Sequence, residues 1–387
     1  MQATWLDKYF KGDRTIWRIV FMLSIFSLLA VYSSTGTLAY KYQKGNTEYY
    51  LLKHLMILAF GLVLMYAAHR VKYTFYLKLS AILLWVTIPL LGLTLVLGTN
   101  LNEASRWLTL PGINITFQTS DFAKLALVIY VARVLSKRQD EEMTFKSIFW
   151  PLLLPVMAVC ALILPANFST SAVLFISCLF LMLIGRVKVK HILSMFGIGL
   201  VLFMFYIGYS FATGNLGRIK TWQARIERFK SAEAEDNYQS DQAKIAIANG
   251  GLIGKFPGNS TQRNFLPHPY SDFIFAIILE EYGMIGGALI LFLYILLFYR
   301  VIRFIHHSPM AFGTLLSVGC TFILIFQAMI NMAVAVGLLP VTGQPLPLVS
   351  MGGSSIWFTS IGIGIVLSVS RQIEKEKKEG GGELAEA

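Results

Sequence analysis

Charged residues are scarce in this chain of 387 residues: Asp, Glu, Lys and Arg make up 14% of it, whereas 56% is hydrophobic. A water-soluble globule of this size would expose too much apolar surface to stay in solution. Cysteine is scarce as well, and Cys160, Cys178 and Cys320 all lie in apolar stretches. Buried thiols usually serve as small packing residues. The sequence therefore predicts a membrane protein with no disulfide or metal framework built from cysteine.

The apolar residues are gathered in runs of about 20, the length of helix that crosses about 30 Å of hydrocarbon. They predict an all-α integral membrane protein, a bundle of about ten transmembrane helices with a large extracytoplasmic loop at 213–270 between helices 7 and 8. The predicted spans are 15–36, 50–69, 74–98, 118–135, 147–164, 169–186, 190–212, 271–299, 309–337 and 354–371. The membrane domain at 15–371 thus follows a cytoplasmic N-terminal segment, 1–14, and precedes a charged tail, 372–387, predicted to be disordered and cytoplasmic.

Lysine and arginine are distributed unevenly between the short loops. On the side of the two termini they include Lys8, Lys11, Arg14, Arg18, Arg70, Lys72, Lys137, Arg138, Arg186, Lys188, Lys190, Arg300 and Arg303, and on the other side only Lys41, Lys44 and Arg106. Since loops rich in lysine and arginine stay inside, both termini are predicted to be cytoplasmic. The net charge of +12 follows from this asymmetry and needs no nucleic-acid partner.

The start of the long loop has an amphipathic pattern. Ile219, Trp222, Ile226 and Phe229 recur at steps of three and four within the basic segment 217–230. Such a helix either lies in the membrane interface or packs on the transmembrane core, and the pattern fits both equally.

The run from Asn249 to Lys255 is rich in glycine and superficially similar to a nucleotide-binding P-loop. Asn249 stands where that motif has its first glycine, no Ser or Thr follows Lys255, and the loop is predicted to face away from cytoplasmic ATP. Nucleotide binding is therefore not predicted. Residues 250–260 are either a backbone nest for a pyrophosphate or a plain glycine-rich turn.

Asp272 lies at the mouth of an apolar run that begins at Phe273. A carboxylate placed between water and low-dielectric surroundings can serve as a general base on a sugar hydroxyl. The alternative is that Ser271 or Asp272 only caps the helix. Glu280 lies about 12 Å deeper, too far for a direct acid–base pair, and either supports the site or pairs with a buried cation.

Two further segments carry polar residues at the same predicted face. Arg106 either holds a diphosphate or snorkels at the interface beside Trp107. Asp121 and Lys124 stand three residues apart and can neutralise each other, with a phosphate as the alternative partner of Lys124. The segment 343–355 is too irregular for a lipid-facing helix, so it should fold back into the bundle or line a cavity.

Taken together, these motifs closely resemble the SEDS family of bacterial cell-wall polymerases (shape, elongation, division and sporulation) over nearly the whole chain. The uninterrupted stretch 258–262 and the charged tail are more similar to the division branch than to the elongation branch. The motifs are Ser105–Trp107, Gln118–Asp121 with Lys124, Tyr238–Gly254, Gly258–Ala276, Glu280–Gly283 and Pro340–Ser355.

The chain departs from the usual pattern of that family at two places. Thr119 and Asp121 stand where Pro and Glu are usual, and 166–170 reads Ala-Asn-Phe-Ser-Thr where the family often has Pro-Asp-Leu-Gly-Thr. Any role that rests on a carboxylate at position 167 is lost here, whereas Asp121 keeps its charge on a shorter arm.

The resemblance implies a peptidoglycan glycosyltransferase that polymerises lipid II at the outer face of the bacterial cytoplasmic membrane, in division at the septum. Asp272 matches the essential extracytoplasmic aspartate of the family and is the expected base. Arg106 and Lys124 are the candidates for the diphosphate. Further candidates are Gln262, His268, Ser271 and Ser354 for substrate contacts, and Asp121, Glu280 and Trp107 for support.

The expected cofactor is at most a divalent cation, Mg or Mn, with no nucleotide or organic cofactor. No segment resembles the Ser-x-x-Lys motif of a transpeptidase, so a class B penicillin-binding protein is the implied partner, with other divisome membrane proteins. The alternatives are a lipid II flippase or transporter, an elongation-type polymerase, or a scaffold that recruits a synthase.

Overall fold

The computed structural model describes residues 9–101, 104–109, 116–138, 149–214, 217–230, 238–306, 308 and 310–383. Within these ranges the chain is helical except for one small sheet, turns and loops. The helices are α1 (Arg14–Ser34), α2 (Gly36–Gln43), α3 (Thr47–Arg70), α4 (Tyr73–Leu97), α5 (Thr119–Ser136), α6 (Leu154–Ile163), α7 (Phe168–Ile184), α8 (Val189–Ala212), α9 (Gly217–Lys230), α10 (Tyr238–Gly250), α11 (Ile274–Ile305), α12 (Ala311–Ala335) and α13 (Gly353–Glu383). A π-helical turn at Phe149–Leu153 precedes α6, and a 3-10 turn at Gln262–Asn264 follows α10.

Seven helices of the described chain are long and apolar enough to cross a membrane, namely α1, α3, α4, α8, α11, α12 and α13. The other three predicted spans also coincide with helices. Two of these, α6 and α7, are short and apolar, and α5 contains Asp121, Lys124 and Arg133. The chain is therefore a multi-pass, all-α membrane protein, and ten crossings stay a prediction.

The helices differ in how deeply they are buried. The core contains Leu127 of α5, Ile277 of α11, Leu316 of α12 and Ile365 of α13, none of which is exposed. Helix α8, by contrast, exposes large apolar side chains along most of its length, as expected of a helix at the lipid boundary. Glycine permits a close helix contact: a Cβ on Gly364 would lie 2.3 Å from the carbonyl oxygen of Met65, so α3 and α13 nearly touch there.

The start of α1 contacts α13 and the far end of α11. Asp13 caps α1 by accepting from the backbone N–H of Thr15 at 2.8 Å. Its other carboxylate oxygen accepts from Nε of Arg300 at 3.0 Å. The backbone N–H of Asp13 donates to Oγ of Ser370 at 2.9 Å. The first, eleventh and last helices are thus tied together on the face that carries the N-terminal segment.

Helix α9 has the bounds predicted from the amphipathic pattern. Ile219 is buried, and the ring of Trp222 lies 5.1 Å from that of Phe168 and 6.1 Å from that of Phe203. Ile226 and Phe229 are about half exposed. These contacts favour the alternative in which α9 packs on the transmembrane core, and its position relative to a bilayer stays a prediction.

Two regions differ from what the sequence predicts. The segment after α4 forms a three-stranded antiparallel sheet of β1 (Thr99–Leu101), β2 (Ala104–Thr109) and β3 (Thr116–Gln118) in the order β1-β2-β3. The tail predicted to be disordered continues α13 through Glu383. The Glu- and Lys-rich part 374–379 suits a helix, with Lys375 and Glu379 paired at 3.4 Å one turn apart, whereas the three glycines at 380–382 disfavour one.

Candidate active site around Asp272

Asp272 precedes the first residue of α11 by two positions. The N-cap residue is Phe273, and no side chain caps the helix. The alternative in which Ser271 or Asp272 caps α11 is therefore wrong. Instead, Oδ1 of Asp272 accepts a hydrogen bond from Oγ of Ser271 at 2.8 Å, the only donor to this half-buried carboxylate among the described residues.

The backbone that carries Asp272 is held at three consecutive carbonyl groups. The carbonyl of Tyr270 accepts from the N–H of Met351 at 2.9 Å. That of Ser271 accepts from Oγ of Ser350 at 2.6 Å, and that of Asp272 accepts from Nδ2 of Asn331 at 2.9 Å. Because the carbonyls rather than the carboxylate are used, the chain is fixed while the acid stays available.

The donors come from α12 and from the loop 336–352, which folds back into the bundle as predicted. In this loop Gln344 and Ser350 are buried. The carbonyl of Gln344 accepts from Nδ2 of Asn331 at 2.7 Å, and its own Nε2 donates to Oγ1 of Thr170 at 2.7 Å. Gly343 has φ +67°, and a Cβ there would lie 3.5 Å from Oδ2 of Asp272. The loop thus forms one wall beside the carboxylate.

A second polar cluster surrounds Lys124 near the start of α5. Its Nζ lies 2.9 Å from Oδ1 of Asp121, so the predicted ion pair is present, and 2.9 Å from Oε1 of Gln327. Oγ of Ser354 accepts from the N–H of Gln118 at 3.0 Å and donates to Oδ2 of Asp121 at 3.5 Å. Asp121, Lys124 and Gln327 line a small cavity of about 50 Å³.

Helix α12 connects the two clusters. Gln327, which binds Lys124, and Asn331, which binds the backbone of Asp272, stand four residues apart on one face. Residues four apart on an α-helix lie about 6 Å from each other, so the two clusters are neighbours along α12. The sequence reasoning missed both amides, although amide side chains inside an apolar span are the kind of signal that marks a functional or packing contact.

The small sheet brings the Ser105–Trp107 motif next to α5. Trp107 of β2 pairs with Gln118 of β3, the residue directly before α5. The side chain of Arg106 lies outside the described part of the chain, so its contact with a diphosphate stays a prediction. Asn167 keeps a structural use without a carboxylate, since its Oδ1 accepts from the N–H of Thr170 at the start of α7 at 3.3 Å.

Glu280 belongs to a third cluster, separate from Asp272. Its carboxylate is fully buried and lies 3.0 Å from Nζ of Lys255 and 2.8 Å from Oγ1 of Thr261, with a further short bond from Oγ of Ser260. The N–H of Gln262 also donates to it at 3.2 Å. The cation that pairs with Glu280 is thus Lys255, which is about one-third exposed and not buried as expected. Gln262 lies with Glu280 rather than with Asp272.

The glycines before this cluster permit close backbone packing. A Cβ on Gly250 would lie 2.0 Å from the carbonyl oxygen of Leu279, and one on Gly254 2.2 Å from that of Glu281. The N–H of Gly254 donates to Gly250 and that of Lys255 to Glu280, at 2.8 and 2.9 Å. Because these two amides and the close backbone contacts are used in packing, the structure favours the packing turn over the pyrophosphate nest.

His268 and Tyr270 lie beside Asp272 in the same loop. Nδ1 of the exposed His268 is 3.4 Å from the hydroxyl of Tyr270. Burial raises the pKa of Tyr270 above 10.0, and the negative charge of Asp272 raises it further. The phenol therefore stays protonated at neutral pH and can donate a hydrogen bond.

The residues of this site could supply only part of the ligands of a bound divalent cation. In the described ranges, no group of three His, Cys, Asp or Glu side chains converges on a point. A magnesium ion carried by a diphosphate needs only one or two protein carboxylates. Asp272, with a single side-chain donor, is the residue at this site that fits that requirement.

The FtsW/RodA/SpoVE family model, described as cell cycle protein, matches residues 13–375. The chain belongs to this family. The match confirms the family that the sequence motifs indicate, and it covers every cluster described above.

Two relatives illustrate the range of names in the family. Stage V sporulation protein E of Bacillus subtilis (strain 168) is 32% identical over 363 residues, which are 91% of this chain and 95% of that protein. A probable peptidoglycan glycosyltransferase FtsW of Geobacter sp. (strain M18) is 33% identical over 368 residues, 93% of this chain and 97% of that protein.

Solved structures share the fold. The crystal structure of the rod shape determining protein RodA of Thermus thermophilus matches with a TM-score of 0.68 at 24% identity, over 94% of this chain and 98% of that one. A chain in a structure on polymerization and crosslinking by a peptidoglycan synthase complex matches with a TM-score of 0.67 at 24% identity, over 93% and 98%. At this identity the likeness concerns the fold alone.

Proposed function

We propose that the chain is a peptidoglycan glycosyltransferase that polymerises lipid II into β-1,4 glycan strands. The observation that carries this proposal is the half-buried Asp272 carboxylate at the mouth of α11, with its backbone fixed at three carbonyls. Fixed backbone and an accessible acid are what a positioned general base requires. Relatives named as probable peptidoglycan glycosyltransferases support the assignment.

In the proposed step, the carboxylate of Asp272 takes the proton from the 4-hydroxyl of the acceptor GlcNAc. The hydroxyl oxygen forms the new bond to C1 of the donor MurNAc, while the bond from C1 to the diphosphate oxygen breaks. Undecaprenyl pyrophosphate leaves with the electron pair of that bond, and the configuration at C1 inverts. The diphosphate is a good leaving group, so no second carboxylate has to protonate it, unlike in glycoside hydrolysis.

The leaving diphosphate needs nearby positive charge, for which Lys124 and Arg106 remain the candidates. Lys124 already contacts Asp121 and Gln327. It would therefore stabilise the diphosphate either by exchanging one of these partners for it or through its positive charge alone. His268, Ser271 and Ser354 are proposed substrate contacts, whereas the packing of Gln262 against Glu280 favours a supporting role for it. A divalent cation, held by the diphosphate and Asp272, would add positive charge.

The membrane setting is part of the proposal. The lysine and arginine distribution supports cytoplasmic termini, which puts Asp272 at the outer face of the bacterial cytoplasmic membrane. Relatives named FtsW support a division role at the septum, while similarity to a sporulation protein leaves room for another stage of wall synthesis. The absence of a transpeptidase motif and the synthase complex among the structural neighbours support a penicillin-binding protein as partner.

The test is a reconstitution of the full chain with a class B penicillin-binding protein in vesicles that contain labelled lipid II. We expect glycan strands long enough to be resolved by electrophoresis. Transfer of labelled lipid II between leaflets without polymer would instead identify a flippase. Polymer made by an added synthase but not by this chain would identify a scaffold.

A further inference from the structure

A cavity of about 610 Å³ lies at the end of the bundle opposite Asp272, on the face that carries the N-terminal segment. Its walls come from three parts of the chain: residues 9–14, the end of α3 with Lys72, and the last part of α13. The bond from the N–H of Asp13 to Ser370 joins the first part to α13, and the bond from Arg371 to the carbonyl of Arg70 joins α13 to the end of α3. The proposed glycosyltransfer makes no use of this cavity.

The lining of the cavity is strongly cationic. It contains one carboxylate, Glu374, which accepts a hydrogen bond from the backbone N–H of Gly12 at 3.1 Å. The six cationic side chains of the lining are Lys11, Arg14, Arg70, Lys72, Arg371 and Lys375.

A general excess of lysine and arginine at one face accounts for surface cations, but it does not account for His69. This residue lines the cavity and is 1% exposed. The backbone of Lys11, another lining residue, lies near the ring, and among the described residues neither ring nitrogen meets full hydrogen-bond geometry with a partner. Since buried polar groups are nearly always hydrogen-bonded, an imidazole that has no well-formed bond at a cationic cavity has capacity for a ligand as a further partner.

The guanidinium of Arg371 is held in place from one side. One of its nitrogens, Nη2, donates to the backbone carbonyl of Arg70 at 3.2 Å. A guanidinium fixed in this way keeps further N–H donors in a planar fork, a geometry that suits phosphate oxygens.

We propose that this cavity is a binding site for a phosphate-bearing anion. Basic pockets between helix ends at a membrane surface bind the headgroups of anionic lipids. A soluble phosphate ester offers the same oxygens to the same cations. In both cases the phosphate would lie among the six cations, and His69 would donate to it or to the adjoining ester oxygen.

The test uses the full-length protein purified in a neutral detergent. Native mass spectrometry counts the bound dioleoylphosphatidylglycerol, with dioleoylphosphatidylcholine as the uncharged comparison, and thermal unfolding reports stabilisation by glycerol 3-phosphate. The variant is Lys11→Gln with Lys72→Gln, two exposed lysines of the lining. Its control is Lys188→Gln with Lys190→Gln, which removes the same charge from two exposed lysines, one just before α8 and one in its first turn.

We expect the lining variant to bind phosphatidylglycerol at least about tenfold more weakly and the control to bind it as the unchanged protein does, because only the lining lysines lie beside the phosphate. Stabilisation by glycerol 3-phosphate without phosphatidylglycerol binding would assign the site to a soluble ester. An equal loss in both double variants would show general surface attraction and overturn the proposal. Absence of binding to the unchanged protein in both arms would overturn it as well.

Discussion

Asp272 lies two residues before α11, and Glu280 lies inside that helix, eight residues further along the chain. The two carboxylates differ in burial and in the number of hydrogen bonds they accept. Glu280 is fully buried and receives hydrogen bonds from Lys255, Thr261, Ser260 and the N–H of Gln262. Asp272 is half-buried and has a single side-chain donor among the described residues, Ser271.

The difference separates an acid that builds structure from one that is available for chemistry. The hydrogen bonds to Glu280 satisfy its charge and fix the turn 260–262 on α11, so the carboxylate has no capacity left for a substrate. At Asp272 the neighbouring carbonyls take the donors instead. Local sequence gives no hint of this, because both acids adjoin the same apolar run.

The largest expected effect comes from Asp272→Asn, which keeps the shape and removes the proton-accepting charge. Polymerisation of lipid II should fall about 100-fold or more, while thermal stability and partner binding stay close to those of the unchanged protein. The assay is the reconstitution with labelled lipid II. Asp241→Asn is the control, because Asp241 is exposed and its one ion pair among the described residues is with Lys244 at 3.3 Å. Near-normal polymer synthesis by Asp272→Asn would exclude Asp272 as the general base.

Glu280→Gln should show the reverse pattern. The amide cannot pair with Lys255 and adds donors where donors already converge, so we expect a loss of about 2 kcal/mol in the free energy of unfolding. Activity per folded molecule should stay within about threefold. Glu379→Gln, which alters an exposed pair with Lys375, is the control and should cost less than about 0.5 kcal/mol. If Glu280→Gln folds normally but does not polymerise, the distinction between the two acids fails.

Ser350→Ala tests the backbone support of Asp272. It removes the bond to the carbonyl of Ser271 at 2.6 Å and the acceptor of the Leu346 N–H at 2.7 Å. We expect a cost of about 1 kcal/mol in stability and a roughly fivefold lower polymerisation rate, because the acid is less well positioned. Ser194→Ala, in the lipid-facing helix α8, should change neither quantity. A loss of stability without a change in rate would show that Ser350 serves packing and does not position Asp272.

The smallest expected effect concerns Tyr270 and the pH dependence of the melting temperature. Burial first, and then the charge of Asp272, raise the pKa of Tyr270 above 10.0 in the folded protein. Above that pH the unfolded chain ionises while the folded one does not, so folding loses stability as pH rises toward the folded pKa. The melting temperature of the unchanged protein should therefore fall relative to that of Tyr270→Phe between pH 9 and 11. Parallel melting curves would show that the phenol titrates normally.

The sequence predicted the helices well, since apolar runs and the amphipathic period are local properties. The bounds of α9 follow from the spacing of apolar residues within that helix, and the pairing of Asp121 with Lys124 follows from their spacing within α5. The small sheet was missed because its strands are short and polar, and the helical tail because charged composition alone favours disorder as much as an exposed helix. The membership of Gln262 in the Glu280 cluster was missed because it depends on a turn that folds back onto α11.

The sequence by itself determined that this is a multi-pass, all-α membrane protein, with its candidate residues in a few separated polar motifs. Hydrophobic length and periodicity suffice for that, because lipid requires each span to satisfy its own backbone. Only the tertiary structure decided which acid is saturated and which is available. That outcome depends on contacts between residues 59 and 79 positions apart, Asn331 with Asp272 and Ser350 with Ser271, and no local pattern encodes such distances.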